Sequence, residues 1–210
     1  MNEVIKISKS KILVVEGKHE EFLFASALTS HLKISDVQIL PVGGKDQIRG
    51  SLLALTKDPS FPQATTLAVI RDADATALGA IVTSAAAAFQ SIVAALANAG
   101  LPSPAAHAQF SAGTPRVGVF IMPDGIRDGA LETLCIDSVA TLPEFNCVKE
   151  FFACLKTHGI QPSRADKAFA HAWLASKPKP DCHVGLGAKE GYWRFSEVAF
   201  NKLWDFLRAM

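Results

Sequence analysis

Short apolar runs and amphipathic segments follow one another along most of this 210-residue chain. The runs at Lys11–Val15, at Val37–Pro41 and at residues 67–71 are almost wholly apolar, which is typical of strands buried on both faces of a parallel sheet. Apolar residues spaced three and four positions apart follow the first run and predict a helix at about 18–33. Strands that alternate with helices predict an α/β fold with a mostly parallel central sheet and helices on both faces.

The remainder of the chain is predicted to be largely helical, apart from one pair of short strand-like segments around residues 113–115 that indicates a hairpin or a short excursion. The glycines at 185, 187 and 191 are interpreted as a loop. We therefore expect a single domain over residues 1–210, with a core of about 10–140 and a helical extension of about 141–210. A second helix is predicted to end at about residue 56, and another to begin near residues 130–135. The other predicted helices cover about 76–99, 143–157, 164–175 and 196–208. The strand-like segments are 108–110 and 117–122.

The end of the chain carries an apolar stripe at helical spacing. We expect this stripe to dock the C-terminal tail onto the sheet, and the alternative is an interface with a second copy of the chain or a protein partner. The stripe consists of Trp193, Phe195, Phe200, Leu203, Trp204 and Leu207.

Composition narrows the functional classes. A formal net charge of +1 excludes a strongly basic nucleic-acid coat and an acidic tail, but it leaves room for a local basic groove. The Ala-rich stretch at 81–99 is interrupted by Thr, Ser, Gln and Asn, which indicates a core helix rather than a membrane span. The four cysteines form no CxxC pair and no signal peptide is recognised, so a cytoplasmic protein with reduced thiols is expected.

Two of the predicted strands end in carboxylates. Glu16 follows the first strand, and Asp72 and Asp74 follow the third. Adjacent strand ends of a parallel sheet lie about 5 Å apart, so these side chains are expected to converge. Clustered carboxylates repel each other unless a cation neutralises them, and hard oxygen ligands suit Mg²⁺ or Mn²⁺. The alternatives are that Asp74 only caps the following helix and that Glu20 only favours the start of the first one.

The segments Leu-Val-Val-Glu-Gly-Lys, ending at Lys18, and Ile-Arg-Asp-Ala-Asp, ending at Asp74, resemble the Toprim domain of topoisomerases, bacterial primases and OLD-type nucleases. The chain as a whole is most similar to a small stand-alone Toprim-like family of uncharacterised bacterial proteins. Members share the motifs VEGKxxE, GGKD, RDAD and GxLExL and a C-terminal GYW segment. This resemblance implies a Toprim-like fold. In the OLD-type branch it also implies functional roles for a second and a third glutamate and a lysine, which match Glu20, Glu132 and Lys167.

The resemblance implies metal-dependent phosphodiester hydrolysis or phosphotransfer on a nucleic acid or a nucleotide, with Mg²⁺ or Mn²⁺ as cofactor. Glu16 and Lys167 would be catalytic, and Lys18, Lys45 and Arg71 would contact phosphates. The alternative is a non-catalytic Toprim-fold binding module that holds Mg²⁺ or a phosphorylated ligand in a larger assembly. The full implied metal-ligand set is Glu16, Glu20, Asp72, Asp74 and Glu132.

Overall fold

A computed structural model of the protein describes residues 6–75 and 84–210. Its strands form one four-stranded sheet in which every pair of neighbours is parallel, in the order β2-β1-β3-β4. The predicted α/β fold class is therefore confirmed. The strands are β1 (Lys11–Val15), β2 (Val37–Pro41), β3 (Thr66–Asp72) and β4 (Arg116–Met122).

The described residues also form eight α-helices. The first of them continues as a π-helical segment, Ala27–Leu32, so the helical stretch ends one residue before the predicted end. The predicted helix at 76–99 is observed from Ser84 onward, because residues 76–83 lie outside the described part of the chain. The helices are α1 (Lys18–Ser26), α2 (Ile48–Leu55), α3 (Ser84–Asn98), α4 (Leu131–Val139), α5 (Phe145–Thr157), α6 (Ala165–Ala175), α7 (Val184–Lys189) and α8 (Asn201–Arg208).

Helices cover both faces of the sheet, as the near-continuous apolar strands require. Successive strand side chains point to opposite faces. Leu13 and Val15 therefore belong to a core shared with α1 and with α4 to α8, whereas Ile12 and Val14 belong to a second core shared with α2 and α3. All four side chains are buried. The strand register aligns Val14 with Val69, so the carboxyl ends of β1 and β3 meet at one edge of the sheet.

The C-terminal apolar stripe packs inside the protein, as predicted. Trp204 is buried and stacks on Phe200, with ring centroids 4.9 Å apart. The neighbouring Phe206 reaches the sheet, where its ring lies 5.5 Å from that of Phe120 in β4. The helical extension and the sheet thus share one core. Among the described residues, no helix is both long enough and apolar enough to cross a membrane.

The segment predicted as a loop around Gly185 is in fact the short helix α7, which packs against α1. A Cβ on Gly185 would lie 2.4 Å from the carbonyl oxygen of His19, and a Cβ on Gly187 would lie 2.7 Å from Leu174. The glycines therefore allow two helices to approach α7 closely, and this requirement of packing cannot be seen in the local sequence.

The segment predicted as a hairpin or a short excursion lies along the free edge of β4, where residues 108–110 make a single bridge and no strand. Phe110 and Gly118 make an isolated antiparallel bridge, and the amide of Ala108 donates to the carbonyl of Val119. A Cβ on Gly118 would come within 2.6 Å of the Phe110 ring, so a glycine is needed for this contact. The segment covers an edge that would otherwise expose unpaired backbone groups.

Candidate functional site

Glu16 connects the ends of three strands. Its backbone carbonyl accepts hydrogen bonds from the amides of Gly43 and Gly44, at 2.9 and 2.7 Å, in the turn after β2. Both glycines have positive φ angles, which residues with a side chain rarely adopt. The Oε1 atom of Glu16 accepts a hydrogen bond of 3.0 Å from the amide of Asp72. Burial raises the pKa of the Glu16 carboxyl, and the hydrogen bond from Asp72 offsets this only in part.

Asp72 lies at the centre of the site and is buried. Its Oδ1 atom accepts a hydrogen bond of 3.0 Å from the amide of Leu131, the first residue of α4. A helix N-terminus presents free amides and favours negative charge, so α4 helps to hold this carboxylate. Burial nevertheless keeps the pKa of Asp72 well above its usual range, and Glu16, Glu20 and Glu132 raise it further.

Glu132 and Lys167 form an ion pair at the side of this centre. The Lys167 ammonium, on the first turn of α6, donates to Oε1 of Glu132 at 3.1 Å. Glu132 is buried, whereas two fifths of the Lys167 side chain is exposed. Burial acts to lower the pKa of Lys167, but the Glu132 carboxylate outweighs it and the pKa is raised. The predicted catalytic lysine is therefore next to one of the predicted metal ligands.

Asp74 differs from the other acids because two cations pair with it. Its carboxylate lies 2.8 Å from the Lys45 ammonium and 3.7 Å from the Arg164 guanidinium. Its backbone exchanges two hydrogen bonds with Gly129, at 2.8 and 2.9 Å, and this ties the end of β3 to the loop before α4. The pKa of Lys45 is raised chiefly by its hydrogen bond to Asp74.

Glu20 faces the same site from the first turn of α1. A Cβ added to Gly17 would lie 3.2 Å from Oε2 of Glu20, so the absence of a side chain at position 17 leaves room for this carboxylate. Glu20 raises the pKa of both Glu16 and Asp72, which indicates that the three charges act on one another.

The structure thus gathers four of the predicted acids, Glu16, Glu20, Asp72 and Glu132, into one repelling group, which we call the carboxylate cluster. Lys18 lies on the first turn of α1, where its ammonium pairs with Glu21 at 2.8 Å and its side chain is largely exposed; its contact with phosphate stays a prediction.

Sequence reasoning missed Arg164. Arg164 lies at the N-terminal end of α6, where the helix dipole disfavours a positive charge. A cation at such a position indicates that its side chain pairs with an acid.

The carboxylate cluster fits a hard divalent cation in the chemistry of its donors and in its charge. All its donors are carboxylate oxygens, the type that Mg²⁺ and Mn²⁺ prefer. Burial raises the pKa values of Glu16 and Asp72, and neighbouring carboxylates raise them further, an effect that a bound cation would counteract. Within residues 6–75 and 84–210, however, no three His, Cys, Asp or Glu side chains stand in an arrangement that could hold a metal ion.

Comparisons with known proteins give a family and no relative. Neither the curated proteins nor the solved structures include a match to this chain. One family model, described as "Protein of unknown function (DUF3226)", matches residues 10–210, which is nearly the whole sequence. The chain therefore belongs to this family.

Proposed function

We propose that this protein is a Toprim-like enzyme that hydrolyses or transfers phosphodiester groups of a nucleic acid or a nucleotide and uses Mg²⁺ or Mn²⁺. One observation carries the proposal: acids from β3, from α1, from α4 and from the end of β1 lie together at the carboxyl edge of a parallel sheet. Open α/β sheets bind their ligands at this edge. The cluster centres on Asp72, which contacts both Glu16 and the start of α4.

The order of the acids along the chain also supports the proposed function. A glutamate after the first strand and an Asp-x-Asp pair after a later strand are the features through which the chain resembles Toprim domains. The two strands, β1 and β3, are direct neighbours here. Their adjacency supports the proposal because it brings Glu16 and Asp72 within one hydrogen bond of each other.

The residues divide into ligands and a charge-stabilising group. Glu16, Glu20, Asp72 and Glu132 would hold the cation, with Asp74 beside them. A bound Mg²⁺ or Mn²⁺ supplies Lewis-acid stabilisation of charge on the attacking and leaving oxygens.

Lys167 reaches the same place from α6, and Glu132 holds it there. Its ammonium offsets the negative charge that develops on phosphorus oxygens in the transition state. Lys45 and Arg164 hold Asp74 and so fix the loop that leads into α4.

A second candidate function is a binding module of the same fold that holds a cation or a phosphorylated ligand without cleaving it. Two observations favour it: Asp72 is buried and hydrogen-bonded to the start of α4, and Asp74 is already neutralised by Lys45 and Arg164. Both reduce the number of carboxylate oxygens that a catalytic cation could reach without rearrangement.

Calorimetric titration with Mg²⁺ and with Mn²⁺ tests the proposal, together with cleavage assays on single- and double-stranded DNA and RNA. The variants are Asp72→Asn and Glu132→Gln, and Asp205→Asn in α8 is the matched control because Asp205 is exposed and distant in the chain. We expect cation binding and cation-dependent cleavage in the wild type and the control, and neither in the two cluster variants. Binding without cleavage would favour the binding module. No cation binding would refute the enzyme and a module that holds a cation, and would leave only a module that holds a phosphorylated ligand.

A further inference from the structure

A cavity of about 440 Å³ lies beside the carboxylate cluster, on the face of the sheet that α2 and α3 cover. It is bounded by the 3-10 helix Lys45–Gln47, by one side of α2, by one side of α3 and by Arg71 from β3. Its volume falls within the range of about 300–1,000 Å³ that is common for small-ligand sites.

Three positively charged side chains and one carboxylate line this cavity. The positive charges belong to Lys45, Arg49 and Arg71, and the carboxylate belongs to Asp46. We call this cavity the basic pocket. A concentration of positive charge in a concave site attracts anions, and arginine in particular matches the geometry of phosphate oxygens.

Two of these cations retain unused hydrogen-bonding capacity. Within the described residues, the Nε atom of Arg71 is buried without a hydrogen-bond partner, and the nearest carboxylate oxygen, on Glu16, is 4.0 Å away. Arg49 donates to the neutral amide oxygen of Asn98 at 3.1 Å and forms no ion pair with an acid in the described part of the chain. A buried donor without an acceptor is costly, so a shift of the Arg71 guanidinium toward an anionic ligand in the pocket would relieve this cost.

The pocket and the carboxylate cluster share a boundary. Lys45 pairs with Asp74 at 2.8 Å, and Arg71 lies beside Glu16. A ligand held by these two cations is therefore adjacent to the acids that would hold the catalytic cation.

We propose that the basic pocket binds a phosphate group of the nucleotide or nucleic-acid substrate next to the bond that is cleaved. The inference rests on the proposed function, because it identifies the ligand of the pocket as part of the substrate of the cluster. Its site is separate: none of the residues in the carboxylate cluster lines the pocket.

The lining also defines what the pocket recognises. No aromatic side chain among the described residues lines it, so a base has no ring on which to stack. The apolar part is made of small and aliphatic residues such as Ile92 and Ala95, and Ser91 and Asn98 add neutral polar groups. The pocket therefore recognises phosphate and sugar, and its binding is independent of the base.

Calorimetry in EDTA, at low salt, tests this inference without the catalytic cation. The probes are thymidine 5′-phosphate, deoxyadenosine 5′-phosphate and, as the ligand without phosphate, thymidine. We expect the two nucleotides to bind with Kd values within a few-fold of each other, and thymidine not to bind. A tenfold difference between the nucleotides would overturn independence of the base, and equal binding of thymidine would overturn recognition of phosphate.

Two variants locate the binding. Arg49→Ala removes one cation and is expected to weaken nucleotide binding about tenfold, the scale of a charge-assisted hydrogen bond. Ala94→Trp fills the cavity from an exposed position of α3 and is expected to abolish binding. The matched controls are Arg208→Ala, on α8, and Ala97→Trp, at an exposed position of α3 that does not line the cavity. Unchanged binding in both test variants would refute the pocket.

The outcome for the pocket can be separated from the outcome for the enzyme. Nucleotide binding that depends on Arg49 but occurs in a protein with no cation-dependent cleavage would refute catalysis and leave the pocket as the ligand site of the binding module. Cation-dependent cleavage by a protein whose pocket binds no nucleotide would refute the pocket alone.

Discussion

The carboxylate of Asp72 accepts a hydrogen bond from the backbone amide of Leu131 at 3.0 Å, and this contact joins the end of β3 to the start of α4. Burial raises the pKa of the same carboxyl group, and three other acids, Glu16, Glu20 and Glu132, raise it further. One helix N-terminus does not balance this charge. The fold thus holds Asp72 where its negative charge lowers the free energy of unfolding. Such destabilising charges are common at functional sites.

The first prediction follows from that cost. In EDTA, Asp72→Asn should increase the free energy of unfolding by about 1 kcal/mol, because asparagine keeps an acceptor for Leu131 and removes a charge from a repelling group. The pKa of Asp72 is raised on folding, so the wild type loses stability as the pH rises above the unfolded pKa, and the gain should be larger at pH 8 than at pH 5.

Thermal unfolding at the two pH values measures the gain from Asp72→Asn. Asp205→Asn in α8 serves as the control, because the Asp205 side chain is three quarters exposed. A variant that melts below the wild type at both pH values would show that the negative charge of Asp72 stabilises the fold.

The close approach of α7 to α1 gives a second prediction. Gly185→Ala places a methyl group 2.4 Å from the carbonyl of His19, a backbone atom that cannot move aside without shifting α1. We expect a loss of about 2–3 kcal/mol in the free energy of unfolding, as is usual for overpacked sites. Gly50→Ala in α2 is the matched control, because nothing lies within 4 Å of the added Cβ and alanine favours a helix. Urea unfolding of both variants measures the difference; equal stabilities would contradict the tight packing of α7.

The sheet could be predicted from sequence because its signals are local. The apolar runs of β1 and β2 begin and end at the residues where the structure has them, and the acids that follow the runs of β1 and β3 are predicted as site residues. Parallel strand order then required Glu16 and Asp72 to lie near each other.

Other features depend on contacts between distant parts of the chain. The helix α7 was missed because glycines usually indicate a loop, and the contacts that explain them come from α1 and α6. The pairing of Asp74 with Lys45 and Arg164 joins residues 29 and 90 positions apart, and no spacing rule identifies such partners.

His107 gives a third prediction, on pH dependence. Its Nδ1 atom accepts a hydrogen bond from the amide of Ile121 at 3.1 Å, and burial, followed by the charge of Lys202, lowers its pKa to about 4. The unfolded chain takes up a proton below pH 6.5 and the folded protein does not, so this stability is present above pH 6.5 and is lost as the pH falls toward 4. His107 is only half-buried, so we expect a loss of roughly 1–2 kcal/mol.

The variant His107→Asn isolates this contribution, because asparagine offers an acceptor to Ile121 and does not titrate. The difference in free energy of unfolding between wild type and variant, measured by urea titration from pH 7 to pH 4, should change by the stated amount. A difference that is constant over this range would mean that His107 is protonated in the folded protein as readily as in the unfolded chain.

The final prediction separates a catalytic Lys167 from one that only neutralises Glu132. Lys167→Met removes the ammonium that lies 3.1 Å from Glu132 and keeps a long apolar side chain at the start of α6. A cation at the carboxylate cluster no longer competes with this ammonium, so Mg²⁺ should bind more tightly, by about two- to tenfold. If Lys167 stabilises the transition state, kcat should nevertheless fall by about 100-fold or more. Lys167→Arg, the control, keeps the charge and should retain most of the cation affinity of the wild type. Tighter Mg²⁺ binding with unchanged kcat would show that Lys167 stabilises the metal-free site and takes no part in the reaction.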